Sequence, residues 1–468
     1  MQEDPRIAVA RFVFGRSNIG FRLFVFLAAA GIFLDVWDLT AFSIVLVPFR
    51  EVFHPTAAEI AFAVSSANIG AVAGALLGGS LTDKLGRKSM FIYSMLVFVV
   101  TAILQALSTG VAEFTLFRTL MGFGLGADVA TGFSYIYEFI GSGERRKYYS
   151  LWAYAFSVTA IAAVLTTLIS LQWSINIDTI WRIPFILGGI FAAVIIVLRF
   201  IIPETPIWLA YQGRYREAAR ILRNIYGDVP ESLPDEDSPR ENFRVLKKFQ
   251  DVFLSGRKKV LGFALSLNVI VGIVSWGFAF YVTFSLTSLG ITSFTGALIY
   301  DLLIYGSALV GSILSPYLAG RLGTRVASVM PSLGICVTFF MAIFAVTHVI
   351  PVLWFVPLSA ATLFLEYLGP MSYNALVNYA YPSSVRGSVN GVNYTVNKAV
   401  EAFTGYFGGF FLIAVAAWES ISLLLALTLA FSVIALILGT NVFVLDPVDI
   451  EKEEVSREAS LPGSESKI

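Results

Sequence analysis

Twelve times along its 468 residues the chain runs for about twenty positions or more with few charges. The runs fall at about 22–47, 58–80, 89–109, 114–138, 149–172, 183–202, 260–289, 293–319, 327–348, 351–378, 388–415 and 418–444. A helix needs roughly 20 apolar residues to cross a hydrocarbon core ~30 Å thick. Strands of a membrane barrel would instead alternate apolar and polar side chains over about 10 residues. These runs are continuous and twice that length, so an all-α membrane protein with twelve spans is expected. Composition agrees: 57% of residues are hydrophobic and 14% charged, where soluble domains carry about 25% charged.

The first run follows Arg16 and Arg22, and Ala28 to Ala30 resembles a leader cleavage site. It continues to Val47, too far for a leader, and reads as a retained helix. Basic residues then set the orientation. Lys84, Arg87 and Lys88 follow span two, Arg145, Arg146 and Lys147 follow span four, and more crowd the stretch after span six. The opposite loops hold Arg50 and Arg182. Since cytoplasmic loops carry the Lys/Arg excess, both termini are expected in the cytoplasm, with the chain in the plasma membrane. The expected divisions are a cytoplasmic N-terminus at 1–21 and a six-helix half at 22–203. A cytoplasmic linker at 204–258, a second six-helix half at 259–445 and a tail at 446–468 follow. In the linker, Tyr215–Tyr226 is helix-like and Pro230 to Pro239 is expected to be flexible. The polar, acidic tail is expected to be disordered.

Several function classes are excluded. Lys+Arg and Asp+Glu balance at 32 each, leaving no cationic surplus for nucleic acid. Cys336 is alone, and His54 and His348 cannot build a metal centre by themselves. No phosphate-cradling GxxxxGK[ST] run occurs, so ATP is not the energy source. No credible nucleophile or metal cluster suggests an enzyme, and no cofactor is expected.

The chain also repeats itself. Gly79-Ser-Leu-Thr-Asp83-Lys84-Leu-Gly86-Arg87-Lys88 follows span two, and Pro316-Tyr-Leu-Ala-Gly320-Arg321-Leu-Gly323-Thr324-Arg325 follows span eight. Leu-Gly and the flanking bases recur in register. Glu138 precedes Arg145 by the interval at which Tyr379 precedes Arg386. Two duplicated six-helix units explain both echoes. Gly70, Gly74 and Gly78 form a small-residue ridge on span two for close packing.

Gly79 to Lys88 resembles the loop signature of the major facilitator superfamily. Arg118-x-x-x-Gly122-x-Gly124-x-Gly126, Trp181-Arg182, and Pro203-Glu204-Thr205-Pro206-x-Trp208-Leu209 followed by Gly213-Arg214 resemble further motifs of its sugar-porter-like members. The resemblance covers nearly the whole chain. It implies two six-helix halves built from 3+3 inverted repeats, with spans one, four, seven and ten around a central cavity. It also implies a gate at the inner loops, made here by Asp83, Gly86, Arg87, Lys88, Glu138, Arg145 and Arg386.

Ionisable groups in a bilayer are costly and are functional candidates by default. Asp35 and Asp38 lie three apart in span one, hence on one face. Two such carboxylates cannot both ionise cheaply, which suits a proton carrier. In proton-coupled sugar porters a span-one Asp works with the Arg that opens the span-four motif, and Asp38 and Arg118 match those positions. The hexose signature of span seven is absent, because Asn268 to Val274 lacks its glutamines and asparagine. Span one reads Asp35-Val-Trp-Asp38, similar to the Asp-x-x-Asp of phosphate:proton symporters, and aromatic-acid:proton symporters share the pair. Asp128 with Glu138, and Arg386 with Lys398, keep the spacing of the phosphate subgroup, and Trp276 matches its span-seven Trp.

The expected substrate-binding residues are Asp128, Lys398, Trp276, Tyr373, Glu366, Glu401 and Asp301. Lys398 is the expected anion site, with an intrahelical Glu401 pair as its simpler alternative. The chain therefore reads as a monomeric proton symporter of a small solute, anionic by preference and working by alternating access. The alternatives are a sugar or cationic-metabolite symporter, or a transport-dead sensor on the same fold.

Overall fold

A computed structural model of the chain describes residues 3–16, 22–141, 145–172, 177–238, 257–414 and 417–459. Spans one to six are Arg22–Phe53, Ala57–Leu85, Arg87–Leu107, Val111–Phe139, Leu151–Gln172 and Ile183–Arg199. Span seven is Lys258–Gly277, continued after a break by Val282–Ser288. Spans eight and nine form one helix, Phe294–Val346, that turns at Gly323. Span ten is broken into Phe355–Leu368 and Tyr373–Ala380, and spans eleven and twelve are Arg386–Ala414 and Ala417–Leu438. Among the described residues, eight helices are long and apolar enough to cross a membrane on hydropathy alone. The second pass of Phe294–Val346, the short span six and the charged spans four and eleven complete the twelve.

The duplicated Leu-Gly pairs have one geometric cause. Gly86 turns the chain at φ 96° and ψ 157°, and Gly323 at φ 79° and ψ 157°. L-residues rarely reach this conformation and glycine reaches it freely. The span-two ridge packs as expected against span four. A Cβ at Gly70 would lie 1.8 Å from the Thr119 carbonyl oxygen, and one at Gly74 would lie 2.0 Å from that of Phe123.

Between the halves, span two lies along span eleven and span five against span eight. The Thr395 hydroxyl donates to the Val72 carbonyl at 3.3 Å and Ser150 to Ser312 at 2.8 Å. At the end that carries both termini, here termed the basic end, Pro5–Phe14, Pro206–Tyr211, Tyr215–Tyr226 and Pro447–Ala459 form a collar. Val9, Val13, Phe14, Ile207, Ala210 and Leu222 make its apolar centre.

Two expectations are corrected here. The tail is not disordered over its described part: Pro447–Ala459 is helical because it docks, and Glu451 is buried. The Tyr211 hydroxyl donates to Glu451 at 2.6 Å, and so does the Ser383 amide at 3.1 Å. Nor is 230–238 loose, since Leu233 packs on the collar and the Ser238 amide donates to the Gly213 carbonyl at 2.9 Å. Pro239 and the rest of the linker to 256 lie outside the described residues.

Candidate functional site

The basic end is shut by a cross-half seal. Asp83, at the last turn of span two, accepts hydrogen bonds from the amides of Gly387 (3.1 Å) and Ser388 (2.9 Å) and from the Ser388 hydroxyl (2.9 Å). These amides open span eleven, whose first-turn N–H groups lack helical partners and favour an anion. Arg87 lies 2.7 Å from Glu138 and 3.3 Å from Asp83, and donates to the Ser383 carbonyl at 3.0 Å. Glu138 also accepts from the Thr205 and Ser383 hydroxyls and stands 3.6 Å from Arg386. Arg386 reaches Glu451 at 3.4 Å. Gly86 supplies the turn.

Lys88 departs from its expected place in this network. Its Nζ donates to the Phe200 carbonyl at 3.0 Å at the exposed rim, because its position on span three points it away from Glu138. The Arg145 side chain lies outside what is described. Glu204 was missed as a member: it accepts from the Arg87 and Lys88 amides at 3.1 Å each. Burial pushes its carboxyl up to about 7, against the bonds from the Thr205 and Lys88 amides and the Arg87 charge.

Deeper, the charges divide into three groups. Arg118 pairs with Asp38 at 2.7 Å, and its guanidinium lies 4.5 Å from the centre of the Phe42 ring. Lys398 stands 3.3 Å from Asp35 of span one and 3.0 Å from Glu401 of its own helix. The Tyr394 hydroxyl donates to Asp35. Tyr373 is wholly buried within electrostatic reach of Glu401 and Asp35. On the C-terminal half, Ser275 donates to Glu366 at 2.6 Å and Thr283 to Asp301 at 2.6 Å. Among the described residues no base lies in ion-pair range of Glu366 or Asp301.

A small pocket, partly open, lies between the halves. Thr40, Ser43 and Phe156 line it from the N-terminal half, and Ser275, Trp276, Phe280, Tyr305 and Tyr367 from the other. Trp276 stacks on Phe280 with centroids 4.5 Å apart. The lining therefore offers hydroxyl groups and flat aromatic faces. Sequence reasoning named Trp276 but missed Ser275, Tyr305 and Tyr367, which carry no charge to mark them within their apolar runs. Tyr394 was also missed, although it lies one turn before Lys398 on the same face.

Asp128 is corrected. It accepts from Ser94 at 2.7 Å and from Arg199 at 3.0 Å, in a junction so tight that a Cβ at Gly31 would meet its Oδ2 at 1.7 Å. Arg199 ends span six and satisfies both carboxylate oxygens, so Asp128 holds helices together and does not face the cavity.

Twelve helices in two halves, shut at one end, with a pocket of hydroxyl and aromatic side chains between them, define a transporter architecture. The family model described as Major Facilitator Superfamily matches residues 28–405, and the chain belongs to that superfamily, whose members are transporters and not enzymes. It is 26% identical over 281 residues to the arabinose-proton symporter of Bacillus subtilis, covering 58% of this chain and 59% of that one. It is 30% identical over 290 residues to a protein of Arabidopsis thaliana named "Probable inositol transporter 2", covering 59% of this chain and 48% of that one. The matches thus span about half the length of these relatives. Among solved structures, the proton:xylose symporter XylE bound to 6-bromo-6-deoxy-D-glucose superposes with a TM-score of 0.77 at 18% identity, covering 93% of this chain and all of that one.

Proposed function

We propose that the chain is a proton-coupled symporter of a small polyhydroxylated solute, a sugar or polyol, working by alternating access with its basic end in the cytoplasm. The observation that carries this reading is the cavity between the halves. It presents hydroxyls and aromatic faces, the surfaces that take up sugar hydroxyls and ring C–H groups. The related symporters named for arabinose and xylose support it.

The anion expected from Lys398 is set aside. Its ammonium already sits between two carboxylates, so an incoming anion would have to displace one buried acid and approach the other. The Asp38–Arg118 pair keeps its expected role. Protonating Asp38 removes the attraction that holds Arg118, a local charge change able to bias two packed halves.

Purified protein in proteoliposomes should accumulate labelled L-arabinose or D-xylose when an inward proton gradient is imposed, and a protonophore should abolish the accumulation. Asp38→Asn should lose accumulation while still exchanging solute across the membrane. Uptake indifferent to the gradient, or accumulation unchanged in Asp38→Asn, would overturn the coupling.

A further inference from the structure

The deep charges do not balance where the two halves meet. Arg118 and Asp38 cancel as a pair. Lys398, 1% exposed, faces two carboxylates, Asp35 at 3.3 Å and Glu401 at 3.0 Å, both buried. The described neighbours supply no second cation. Span five contributes Trp152, edge-on to Tyr394 at 5.9 Å between centroids, span seven contributes Ser275, and span ten contributes Glu366 and Tyr373. Span eleven adds the neutral Asn397 and the Tyr394 hydroxyl, which already donates to Asp35. The described surroundings of the triad therefore hold further acid and no further base beyond the paired Arg118.

An uncompensated charge in so dry a place is too costly to persist, and the group takes up a proton instead. Two carboxylates around one ammonium leave one negative charge over, a place where a proton can bind.

The geometry points to the Asp35–Lys398–Glu401 triad as a second proton site, one that ties the two halves together or releases them. This deepens the symporter reading and rests on it. Asp35 belongs to the N-terminal half, while Lys398 and Glu401 share span eleven of the other. With the proton on Glu401, Lys398 pairs with ionised Asp35 and bridges the halves. With the proton on Asp35, Lys398 keeps Glu401 on its own helix and the bridge is gone. The location of one proton thus decides whether an electrostatic tie joins the two halves at this depth. Asp38–Arg118 cannot do this, because both partners sit in the same half.

The test uses the full-length protein and two variants, Glu401→Gln and Asp35→Asn, each of which leaves Lys398 with a single acid. Infrared difference spectra between acid and alkaline pH require no substrate. Wild type should show one protonated carboxyl more than either variant, and equal spectra would overturn the proposal. In proteoliposomes, Glu401→Gln should slow the exchange of labelled L-arabinose or D-xylose, because Lys398 then stays paired with Asp35 across the halves, and its gradient-driven accumulation ratio should fall to one. Wild-type accumulation in Glu401→Gln overturns the proposal. Wild-type exchange in Glu401→Gln, at an unchanged unfolding temperature, also overturns it, since the tie to Asp35 would then not bear on the motion of the halves. If wild type moves neither sugar, the solute reading fails, and the infrared comparison still decides the triad.

Discussion

Glu204 shows how one carboxyl can couple the seal to pH. It lies beyond span six, buried against the first turn of span three, and burial raises it from 4.5 to about 7. A raised carboxyl binds its proton more tightly in the folded protein than in the unfolded one, so its contribution is fully present below about pH 4.5. It is lost as pH rises through about 7. At 1.36 kcal/mol per unit, the span of this change is on the order of 3 kcal/mol. Detergent-solubilised protein should therefore unfold at a higher temperature at pH 5 than at pH 8, and Glu204→Gln should flatten that difference. An unchanged pH profile in the variant would remove Glu204 as its source. The sequence exposed such groups unevenly. Asp35, Asp38, Arg118 and Lys398 could be located by depth alone, since charge is rare in the spans. Their partners depend on which way each helix faces. Asp128 was placed at the right depth with the wrong role, because Arg199 at the end of span six reads as an anchoring base.

At the scale of the helix, the same distinction holds between length and direction. Hydropathy found the apolar spans but read spans ten and seven as continuous. The break of span ten falls at Gly369-Pro370, where proline lacks the N–H that a helix needs, and that of span seven falls at Phe278. The glycine ridge of span two was legible because small residues at every fourth position have few other uses. Its end carries a further contact. A Cβ at Gly79 would lie 2.5 Å from the Gly387 carbonyl oxygen and 2.7 Å from the Gly391 Cα, both on span eleven. Backbone cannot yield as a flexible side chain can, so Gly79→Val should prevent spans two and eleven from closing at the basic end. A cysteine placed at Ser388 should then react with a membrane-impermeant maleimide faster in the Gly79→Val background than without it. Equal rates would mean that the seal tolerates the added bulk.

For the whole molecule, the collar links parts that lie far apart in sequence. Glu451, whose carboxyl is raised by burial despite the Arg386 charge, contacts Ser383 and Arg386 of the C-terminal half and Tyr211 of the segment after span six. Glu451→Gln keeps the size of the side chain and removes its charge. It should weaken the closed basic end, read as a faster exchange rate with less accumulation of sugar. A variant with wild-type exchange would show that the tail helix packs without bearing on the cycle. The collar was not legible in the sequence, since a short polar helix with many acids looks solvated until its docking partner is known.

Asp83 carries a consequence for how freely this sequence can drift. Two of its three bonds across the seal go to main-chain amides, at Gly387 and Ser388. Every residue except proline supplies such an amide. Replacing Ser388 removes only the hydroxyl bond, so the acceptor on span two still meets a donor whatever side chain follows. The closure is therefore buffered against mutation on span eleven and vulnerable on span two, where the carboxylate itself has no substitute. A saturation scan of the two segments would see that asymmetry as a tolerant column at Ser388 beside an intolerant one at Asp83.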